Sequence, residues 1–272
     1  MEKFANNLLN IYIKFFSKKK FQLLYDVIIH FCLKAKGYKN YGSSKVTGEF
    51  FFLNLIKKYK IKLAIDVGAN VGQTSIQLLE ILKCNVIAFE PMIHSYNELN
   101  KIKLLYGEKL QTYNLALSDK NKREYIYYPN LKSQLATFEK NYSKINFLKN
   151  KIVGRKKIKT VTLDRFINDN KKIFKNGFDF LKIDTEGNDY NVLLGSLKSI
   201  NKFSPKFIQF EMNSHYIFKS INLYKMSSFF TDYKLYKILP YNSGLIKVKN
   251  SDPTNNIFHL SNFVLVRKDI SL

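Results

Sequence analysis

The sequence has 272 residues, of which 46% are hydrophobic, so it suits one α/β domain with a sizeable core and a modest appendage. Its net charge of +24 suggests a nucleic-acid partner, but only four of its 45 basic residues are arginine and there is no tryptophan. This pattern favours solvated lysine faces over a site for phosphates and bases. The excess charge still suits an anionic glycan, a phosphorylated donor or a membrane surface.

Residues 1–45 are predicted to form a helical extension. Apolar side chains recur at helical spacing in residues 4–16 and again in residues 21–32, with Lys18-Lys19-Lys20 between the two helices. Two interpretations stay open: a hairpin packing on the main domain or on a second subunit, and a basic amphipathic anchor on an anionic membrane. No apolar run is long enough to span a bilayer and no leader peptide is recognisable. We therefore expect a cytoplasmic protein, at the inner face of the membrane in the second case.

The most informative segment runs from Ala64 to Gly72. It is typical of a buried strand, residues 61–67, followed by a glycine turn and a helix over residues 74–83. Such a unit cradles nucleotides in open α/β sheets, but the dinucleotide fingerprint Gly-x-Gly-x-x-Gly is incomplete here. The carboxylate of Asp66 instead precedes the turn. It would repel a pyrophosphate, whereas it suits the ammonium and sulfonium of S-adenosylmethionine.

A second carboxylate ends the next strand. Residues 85–90 are apolar up to Glu90, which lies 18 residues after Gly72. An acid at the tip of a second strand can accept both ribose hydroxyls of an adenosine. Either carboxylate alone is explained equally well as a structural charge, but their order and spacing favour an adenosyl cofactor. The predicted cofactor site comprises Asp66, Gly68, Ala69, Asn70, Gly72, Glu90 and, facing the adenine, Asn114.

Strands and helices alternate along residues 46–272, which we interpret as one domain with a parallel sheet. A helix is predicted over residues 49–59. Seven strands are predicted at residues 61–67, 85–90, 110–116, 178–184, 206–211, 233–239 and 261–267. Residues 120–160 interrupt the alternation, and we expect an inserted hairpin or flap there, above the carboxyl edge of the sheet.

Several short motifs follow one another in a characteristic order. They are Asp66–Gly72, Phe89-Glu90-Pro91, Leu115–Asp119, Thr162–Phe166, Lys182–Gly187 and Phe210-Glu211. In this order the chain resembles, over about residues 47–212, the FkbM family of S-adenosylmethionine-dependent methyltransferases. The resemblance implies a Rossmann-like class I methyltransferase fold, with a mostly parallel seven-stranded sheet and helices on both faces. It also implies S-adenosylmethionine as cofactor and O-methylation, commonly of a sugar hydroxyl.

The fourth predicted strand carries the candidate catalytic groups. A hydroxyl is a poor nucleophile until a base removes its proton. Asp184, at the strand tip, is the first candidate for that base or for holding the acceptor hydroxyl, and Glu186 in the following turn is the second. His215 is a third, since histidine titrates near neutral pH. Lys182 lies inside the apolar strand and needs an acidic partner. If it pairs with one of these acids or with Glu211, the paired carboxylate becomes a weaker base.

We therefore expect an O-methyltransferase that acts on a sugar hydroxyl in polysaccharide biosynthesis, with a saccharide or glycan acceptor. An RNA ribose 2′-O-methyltransferase is an alternative, because Asp184, Glu211 and nearby lysines can imitate a Lys-Asp-Lys-Glu set. The scarcity of arginine counts against nucleic acid. A catalytically silent adenosyl-binding scaffold is a further alternative, disfavoured by the joint presence of Asp66 and Glu90. A homo-oligomer stays open, and no ligand spacing predicts a metal site.

Overall fold

The computed structural model describes residues 2–129, 135–144 and 152–272. Its α-helices are, in chain order, α1 Glu2–Phe16, α2 Gln22–Ala35, α3 Ser44–Thr47, α4 Glu49–Ile56, α5 Gln73–Gln77, α6 Ile93–Tyr106, α7 Leu163–Asp169, α8 Asp189–Leu194, α9 Leu197–Phe203 and α10 Leu223–Ser227. Its strands are β1 Leu63–Val67, β2 Asn85–Phe89, β3 Leu110–Tyr113, β4 Ala116–Leu117, β5 Lys122–Tyr128, β6 Gly154–Val161, β7 Phe180–Ile183, β8 Phe207–Met212, β9 Tyr233–Ile238, β10 Leu245–Lys247 and β11 Ser261–Arg267.

The main sheet of the described chain has eight strands in the order β10-β9-β11-β8-β7-β1-β2-β3. Strands β3, β2, β1, β7 and β8 are parallel, and β11 runs antiparallel to both β8 and β9. Without β10 and β11 this is the doubly wound order 3-2-1-4-5-6 of nucleotide-binding folds. The predicted mostly parallel α/β sheet is confirmed. The predicted number of seven strands is wrong, because the three-residue strand β10 is too short to show a sequence pattern.

Helices cover both faces of the main sheet. Helices α4 and α6 and the turns after α5 pack on one face through side chains such as Phe52, Leu78 and Leu99. Helices α7 to α10 pack on the other, where Phe166 and Val192 belong to the larger core cluster. Central strands that are covered on both faces are apolar throughout, as the sequence of β1 is apart from its one carboxylate.

The second sheet, β4-β6-β5, lies in the region predicted as an inserted flap. Strands β5 and β6 pair antiparallel from Lys122 and Thr160 to Tyr128 and Gly154. After β5 the chain returns, so that Thr137 bridges to Tyr127. Residues 130–134 and 145–151 of the predicted flap lie outside the described residues.

Helices α1 and α2 form the N-terminal helical extension. A single 3₁₀ turn, Lys19–Phe21, separates them, and none of their described side chains is buried. The linker that follows is held to the body by Tyr38, which is fully buried and donates to the carbonyl of Thr254. No helix in the described ranges combines the length and apolarity needed to cross a bilayer.

Candidate active site

The carboxyl ends of β1, β2, β7 and β8 meet at one edge of the sheet. The strand order reverses between β1 and β7, and ligands of open α/β sheets bind at such a switch point. Two adjoining cavities open there, and four residues line both of them: Gly68, Asn70, Asp184 and Glu186. We call the cavity that Glu90 lines the adenosine cavity and the cavity that His215 lines the acceptor cavity. The four shared residues mark the point where a donor and an acceptor would meet.

Glu90 lies in the adenosine cavity at the tip of β2 and is 6% exposed. One of its carboxyl oxygens accepts from the amide of Asn70 at 2.9 Å and the other from the amide of Met92 at 2.7 Å. These bonds fix the carboxyl plane and leave a lone pair on each oxygen for a pair of hydroxyls. Burial raises the pKa of Glu90 to about 7, although the two amide bonds oppose the shift.

The rest of the adenosine cavity is lined mostly by apolar side chains, and its volume in this structure is about 50 Å³. Phe89 of β2 and Leu117 of β4 form part of its wall. The flap contributes Ile126, Ala136 and Phe138. Sequence reasoning missed this flap wall, because residues distant in sequence carry no periodic signal that would place them at the tip of β2. The flap therefore completes the cavity rather than merely lying above it.

Asn114 was expected to face the adenine, but it does not belong to the described lining of either cavity. Its side-chain amide instead donates to the carbonyls of Glu90 and Pro91, at 2.9 and 3.1 Å. Asn114 thus holds the turn that presents the Glu90 carboxylate.

Asp66 lies behind the glycine turn, 1% exposed, and lines neither cavity in the described chain. Its Oδ2 accepts from the hydroxyl of Ser75 at 2.6 Å, which ties the end of β1 to helix α5. Burial raises its pKa to about 6, opposed by the Ser75 bond and by the Lys182 ammonium. The observed role of Asp66 is therefore to hold the glycine turn against helix α5.

The two glycines of the turn, both predicted to belong to the cofactor site, differ in what their backbone approaches. Both have positive φ, +83° for Gly68 and +88° for Gly72. A Cβ at Gly68 would collide with the carbonyl oxygen of Asp184, so the turn and the tip of β7 need a bare backbone to approach each other. A Cβ at Gly72 would meet Leu99 and Ile102 of α6. Gly72 therefore serves helix packing, and it lines neither cavity.

The acceptor cavity has a volume of about 620 Å³. Its described lining is rich in hydrogen-bonding side chains and contains four carboxylates but neither lysine nor arginine. The carboxylates are Glu49, Asp184, Glu186 and Glu211.

Lys182 does not line this cavity but pairs with two of its carboxylates. It is 2% exposed, and its Nζ lies 3.0 Å from Asp184 Oδ2 and 3.4 Å from Glu49 Oε1. Burial opposes its charge, but the surrounding carboxylates, Asp184 and Glu49 first, raise its pKa well above the usual value. The acidic partner expected from sequence is thus Asp184, joined by Glu49 from α4. No signal in the sequence indicated Glu49, which lies more than 130 residues earlier.

Glu186 and Glu211 also line this cavity, and neither forms a salt bridge with a described residue. Burial and the negative charge of Asp184 raise the pKa of Glu186 to about 8, and raise that of Glu211 well above its usual value. Glu186 also has a positive φ of 50°, an uncommon conformation for a residue with a side chain. The hydroxyl of Thr137 in the flap donates to the Glu186 carbonyl at 2.6 Å and helps to hold this turn.

His215 lies in the 3₁₀ helix Ser214–Ile217 and lines the acceptor cavity, 3% exposed. Its Nδ1 is 2.9 Å from Asn213 Oδ1, and Gly187 packs directly against its ring. Burial and the nearby Lys219 ammonium lower its pKa to about 4, so the ring is neutral at pH 7. A neutral, oriented imidazole can accept a proton, and the structure brings it to the same cavity as Asp184 and Glu186.

Asp189 has a structural role. Its Oδ1 accepts from the amide and the hydroxyl of Thr185, and its Oδ2 accepts from the amide of Glu211 at 2.8 Å. These bonds join the tips of β7 and β8.

The site fits S-adenosylmethionine in its chemistry. Glu90 offers two carboxyl oxygens beside the apolar lining of the adenosine cavity, and Asn70 Oδ1 is a buried acceptor that has no hydrogen-bond partner among the described residues. A ribose and an α-ammonium group supply the donors that these acceptors lack. No group of three or more histidine, cysteine and carboxylate side chains within the described ranges is arranged to hold a metal ion.

Comparison with known proteins identifies relatives of the chain. Residues 66–234, more than half of it, match the sequence model of the methyltransferase FkbM domain. A search of curated proteins finds no significant match.

Solved structures that align with this chain include the methyltransferase FkbM from Methylobacillus flagellatus KT. It has 13% sequence identity and a TM-score of 0.44, and the alignment covers 76% of this chain and 44% of that one. This chain thus spans less than half the length of that protein. The O-methyltransferase from Bacillus cereus in complex with SAH has 9% identity, a TM-score of 0.45 and coverage of 89% and 90%. TYW2 from P. horikoshii in complex with MeSAdo has 12% identity, a TM-score of 0.41 and coverage of 84% and 65%.

Proposed function

Because the chain belongs to the FkbM family of methyltransferases, whose cofactor is S-adenosylmethionine, we propose that it methylates a sugar hydroxyl of a glycan or saccharide precursor. The observation that carries this proposal is the lining of the acceptor cavity, with four carboxylates and several amide and hydroxyl side chains. Sugar hydroxyls both donate and accept hydrogen bonds, so they match such a lining. The volume of about 620 Å³ lies within the range of about 300–1,000 Å³ that is usual for small-molecule sites.

The same lining supports a sugar over RNA, the alternative acceptor. The described residues around the acceptor cavity include no lysine or arginine, whereas phosphates are normally held by these cations. Carboxylates such as Glu186 and Glu211 would repel the phosphates on either side of a ribose. The lysines and arginines of the described ranges therefore lie outside the lining of this cavity.

S-adenosylmethionine supplies a methyl group on a sulfonium sulfur, and the protein must align the acceptor oxygen and remove its proton. Asp184 lies at the junction of the two cavities, where Lys182 fixes its orientation. On this proposal Asp184 holds the acceptor hydroxyl, and Asp184, Glu186 and His215 are the three candidates for the base that takes its proton. Alignment of reactants can lower a barrier by about 7–11 kcal/mol. A positioned base adds a factor of roughly 10²–10⁴.

Two measurements test the proposed function. Calorimetric titration with S-adenosylmethionine, with NAD in parallel, should give saturable binding of the first alone, which Glu90→Ala abolishes. Incubation with nucleotide sugars, oligosaccharides and RNA should then give S-adenosylhomocysteine, and a methylated product, only with a saccharide. Asp184→Asn should bind the cofactor normally and lose turnover by at least about a hundredfold. A methylated RNA would support the alternative acceptor, and cofactor binding without any turnover would support a silent scaffold.

A further inference from the structure

Helices α1 and α2 expose an apolar surface that no other part of the described chain covers. Thirteen of the twenty-five large apolar side chains exposed in the described chain belong to these two short helices. They are Leu8, Leu9, Ile11, Tyr12, Ile13, Phe15, Phe16, Leu23, Leu24, Val27, Ile28, Ile29 and Phe31. An exposed apolar surface of this extent marks an interaction site.

The exposure remains although the two helices already contact each other. The hydroxyl of Tyr12 donates to that of Tyr25 at 3.1 Å, and Tyr25 donates to the carbonyl of Phe16 at 3.0 Å. The rings of Tyr12 and Phe16 stack with centroids 4.9 Å apart. The hairpin thus has contacts of its own, and the surface described above is what it presents outward.

Each helix contributes an apolar stripe at helical spacing. Leu8, Ile11, Tyr12 and Phe15 recur at i, i+3, i+4 and i+7 in α1 and are 48–58% exposed. In α2 the same spacing joins Leu24, Val27, Ile28 and Phe31, which are 45–67% exposed. These two stripes give the hairpin an apolar surface that a lipid layer can cover.

The charge around these stripes decides between a membrane and a second copy of the chain. Residues 1–39 contain eight lysines and two acidic residues, and three of the lysines, Lys18, Lys19 and Lys20, lie at the turn between the helices. Two copies of so basic a hairpin would repel each other. An anionic lipid surface attracts it, because lysines beside an apolar face bind lipid phosphates while the apolar side chains enter the acyl boundary.

The connection to the body adds a geometric reason. Tyr38 is fully buried, and the ammonium of Lys237 lies 3.8 Å from the centre of its ring. Immediately after this anchor, Asn40 to Ser44 line the acceptor cavity. A surface bound through α1 and α2 would therefore lie beside the rim of the acceptor cavity.

We propose that α1 and α2 form a membrane-docking hairpin, which lies in the headgroup region of an anionic bilayer with both apolar stripes turned into the lipid. The helices have 15 and 14 residues, about 21–23 Å at 1.5 Å per residue, so they lie on the bilayer instead of spanning it. This inference does not depend on the identity of the acceptor.

The two cysteines allow a direct test on the full chain. Cys32 is exposed on α2, whereas Cys84 is buried and burial raises its pKa to about 12. A thiol-reactive, environment-sensitive dye should therefore label Cys32 selectively. With vesicles of phosphatidylglycerol and phosphatidylcholine the labelled protein should sediment and its emission should shift to the blue. With phosphatidylcholine alone, or with phosphatidylglycerol in high salt, binding should be at least about tenfold weaker.

Two pairs of variants separate the hairpin from the general positive charge of the protein. Leu24→Glu with Phe31→Glu should weaken vesicle binding at least about tenfold, whereas Leu104→Glu with Leu105→Glu, on α6 and 81–82% exposed, should not change it. Replacement of Lys18, Lys19 and Lys20 by glutamine should weaken binding to anionic vesicles. The same replacement of Lys171, Lys172 and Lys175, which are also exposed, should not.

The proposal is overturned if the protein binds neither kind of vesicle, or binds neutral and anionic vesicles equally. It is also overturned if the dye on Cys32 is already shielded without lipid and the protein sediments as a dimer, since a second copy then covers the hairpin. Failure here leaves cofactor binding and turnover unaffected, so it is distinguishable from failure of the proposed function.

Discussion

Burial sets the protonation of two carboxyl groups around the cofactor site. The pKa of Asp66 is raised to about 6 and that of Glu90 to about 7, in each case chiefly by desolvation. A sulfonium and an ammonium favour the ionised form of Asp66, and hydroxyl donors favour the ionised form of Glu90. Binding of S-adenosylmethionine should therefore release protons.

We predict that cofactor affinity rises with pH between 5 and 7, by at most about tenfold per pH unit for each proton released. Calorimetry in two buffers of different ionisation enthalpy measures the number of protons directly. Glu90→Gln should abolish the part of the release that occurs near pH 7. An affinity that stays constant between pH 5 and 7 would contradict the electrostatic role of both carboxyl groups.

The three candidate bases differ in their expected pH dependence. Burial and Asp184 raise the pKa of Glu186 to about 8, and burial lowers that of His215 to about 4. If Glu186 removes the proton, kcat/KM should rise through pH 8, and Glu186→Gln should remove that limb. If His215 does so, kcat/KM should be constant from pH 6 to 8 and fall towards pH 4, and His215→Asn should lower it throughout. A flat profile that only Asp184→Asn depresses would assign the proton transfer to Asp184.

At the scale of elements, the approach of the β1 turn to the tip of β7 depends on one missing side chain. Gly68→Ala would place a Cβ against the carbonyl of Asp184, whereas Gly244→Ala, also at positive φ, would meet no atom within 4 Å. Both substitutions incur a backbone strain of about 1 kcal/mol.

We therefore predict that Gly68→Ala lowers the free energy of unfolding by at least about 2 kcal/mol more than Gly244→Ala, because it alone adds a steric clash. Denaturant unfolding of the two variants measures this difference. An equal decrease in the free energy of unfolding for both variants would mean that the turn can move away from β7. In that case Gly68→Ala should weaken cofactor binding instead.

The flap is the second element on which the site depends. Thr137 donates to the carbonyl of Glu186, and its neighbours Ala136 and Phe138 line the adenosine cavity. Thr137→Val keeps the shape but removes the hydroxyl. The substitution removes two hydrogen bonds, the one donated to Glu186 and the one accepted from the amide of Glu139 at 3.1 Å. It should therefore loosen the flap and raise the KM for S-adenosylmethionine about five- to tenfold, which corresponds to about 1 kcal/mol. The exposed Thr231→Val should leave KM unchanged, and an equal effect of both would remove the flap from cofactor binding.

For the whole molecule, the clustered carboxyl groups make the unliganded fold sensitive to alkaline pH. The pKa values of Asp66, Glu90 and Glu186 are raised on folding, so between their unfolded and folded values the native state binds more protons than the unfolded state. The contribution of these three groups is then full below about pH 4 and declines as pH rises through about 8. His215, whose pKa is lowered to about 4, opposes part of this decline between about pH 4 and 6.5. Glu90 alone accounts for about 3 kcal/mol.

We predict that the free energy of unfolding of the unliganded protein falls by several kcal/mol from pH 5 to 8, and that S-adenosylmethionine restores part of the loss because it binds the ionised site. Chemical denaturation at fixed ionic strength, with and without the cofactor, measures both effects. A stability that rises over this range would show that other groups outweigh the carboxyl cluster.

Much of this protein can be predicted from short stretches of its sequence. Periodicity gives six of the seven expected strands to within two residues at each end, with β3 ending earlier, and it gives both N-terminal helices. The glycine turn with Asp66 and Glu90 predicts an adenosyl cofactor. These features are local, because strand burial, turn conformation and charge at a strand tip depend on residues adjacent in the chain.

Contacts between distant segments are different, and only the tertiary structure decides them. Lys182 needs an acid, but which acids it meets depends on the packing of α4 on β7, which brings Glu49 to it from more than 130 residues away. The apolar wall of the adenosine cavity depends on the return of the flap, and the pKa values of Glu186 and Glu211 depend on how deeply two strand tips are buried together. The sequence thus determined the fold class and the cofactor, since local pattern specifies them, whereas the geometry and protonation of the acceptor site arise only where remote side chains share one buried space.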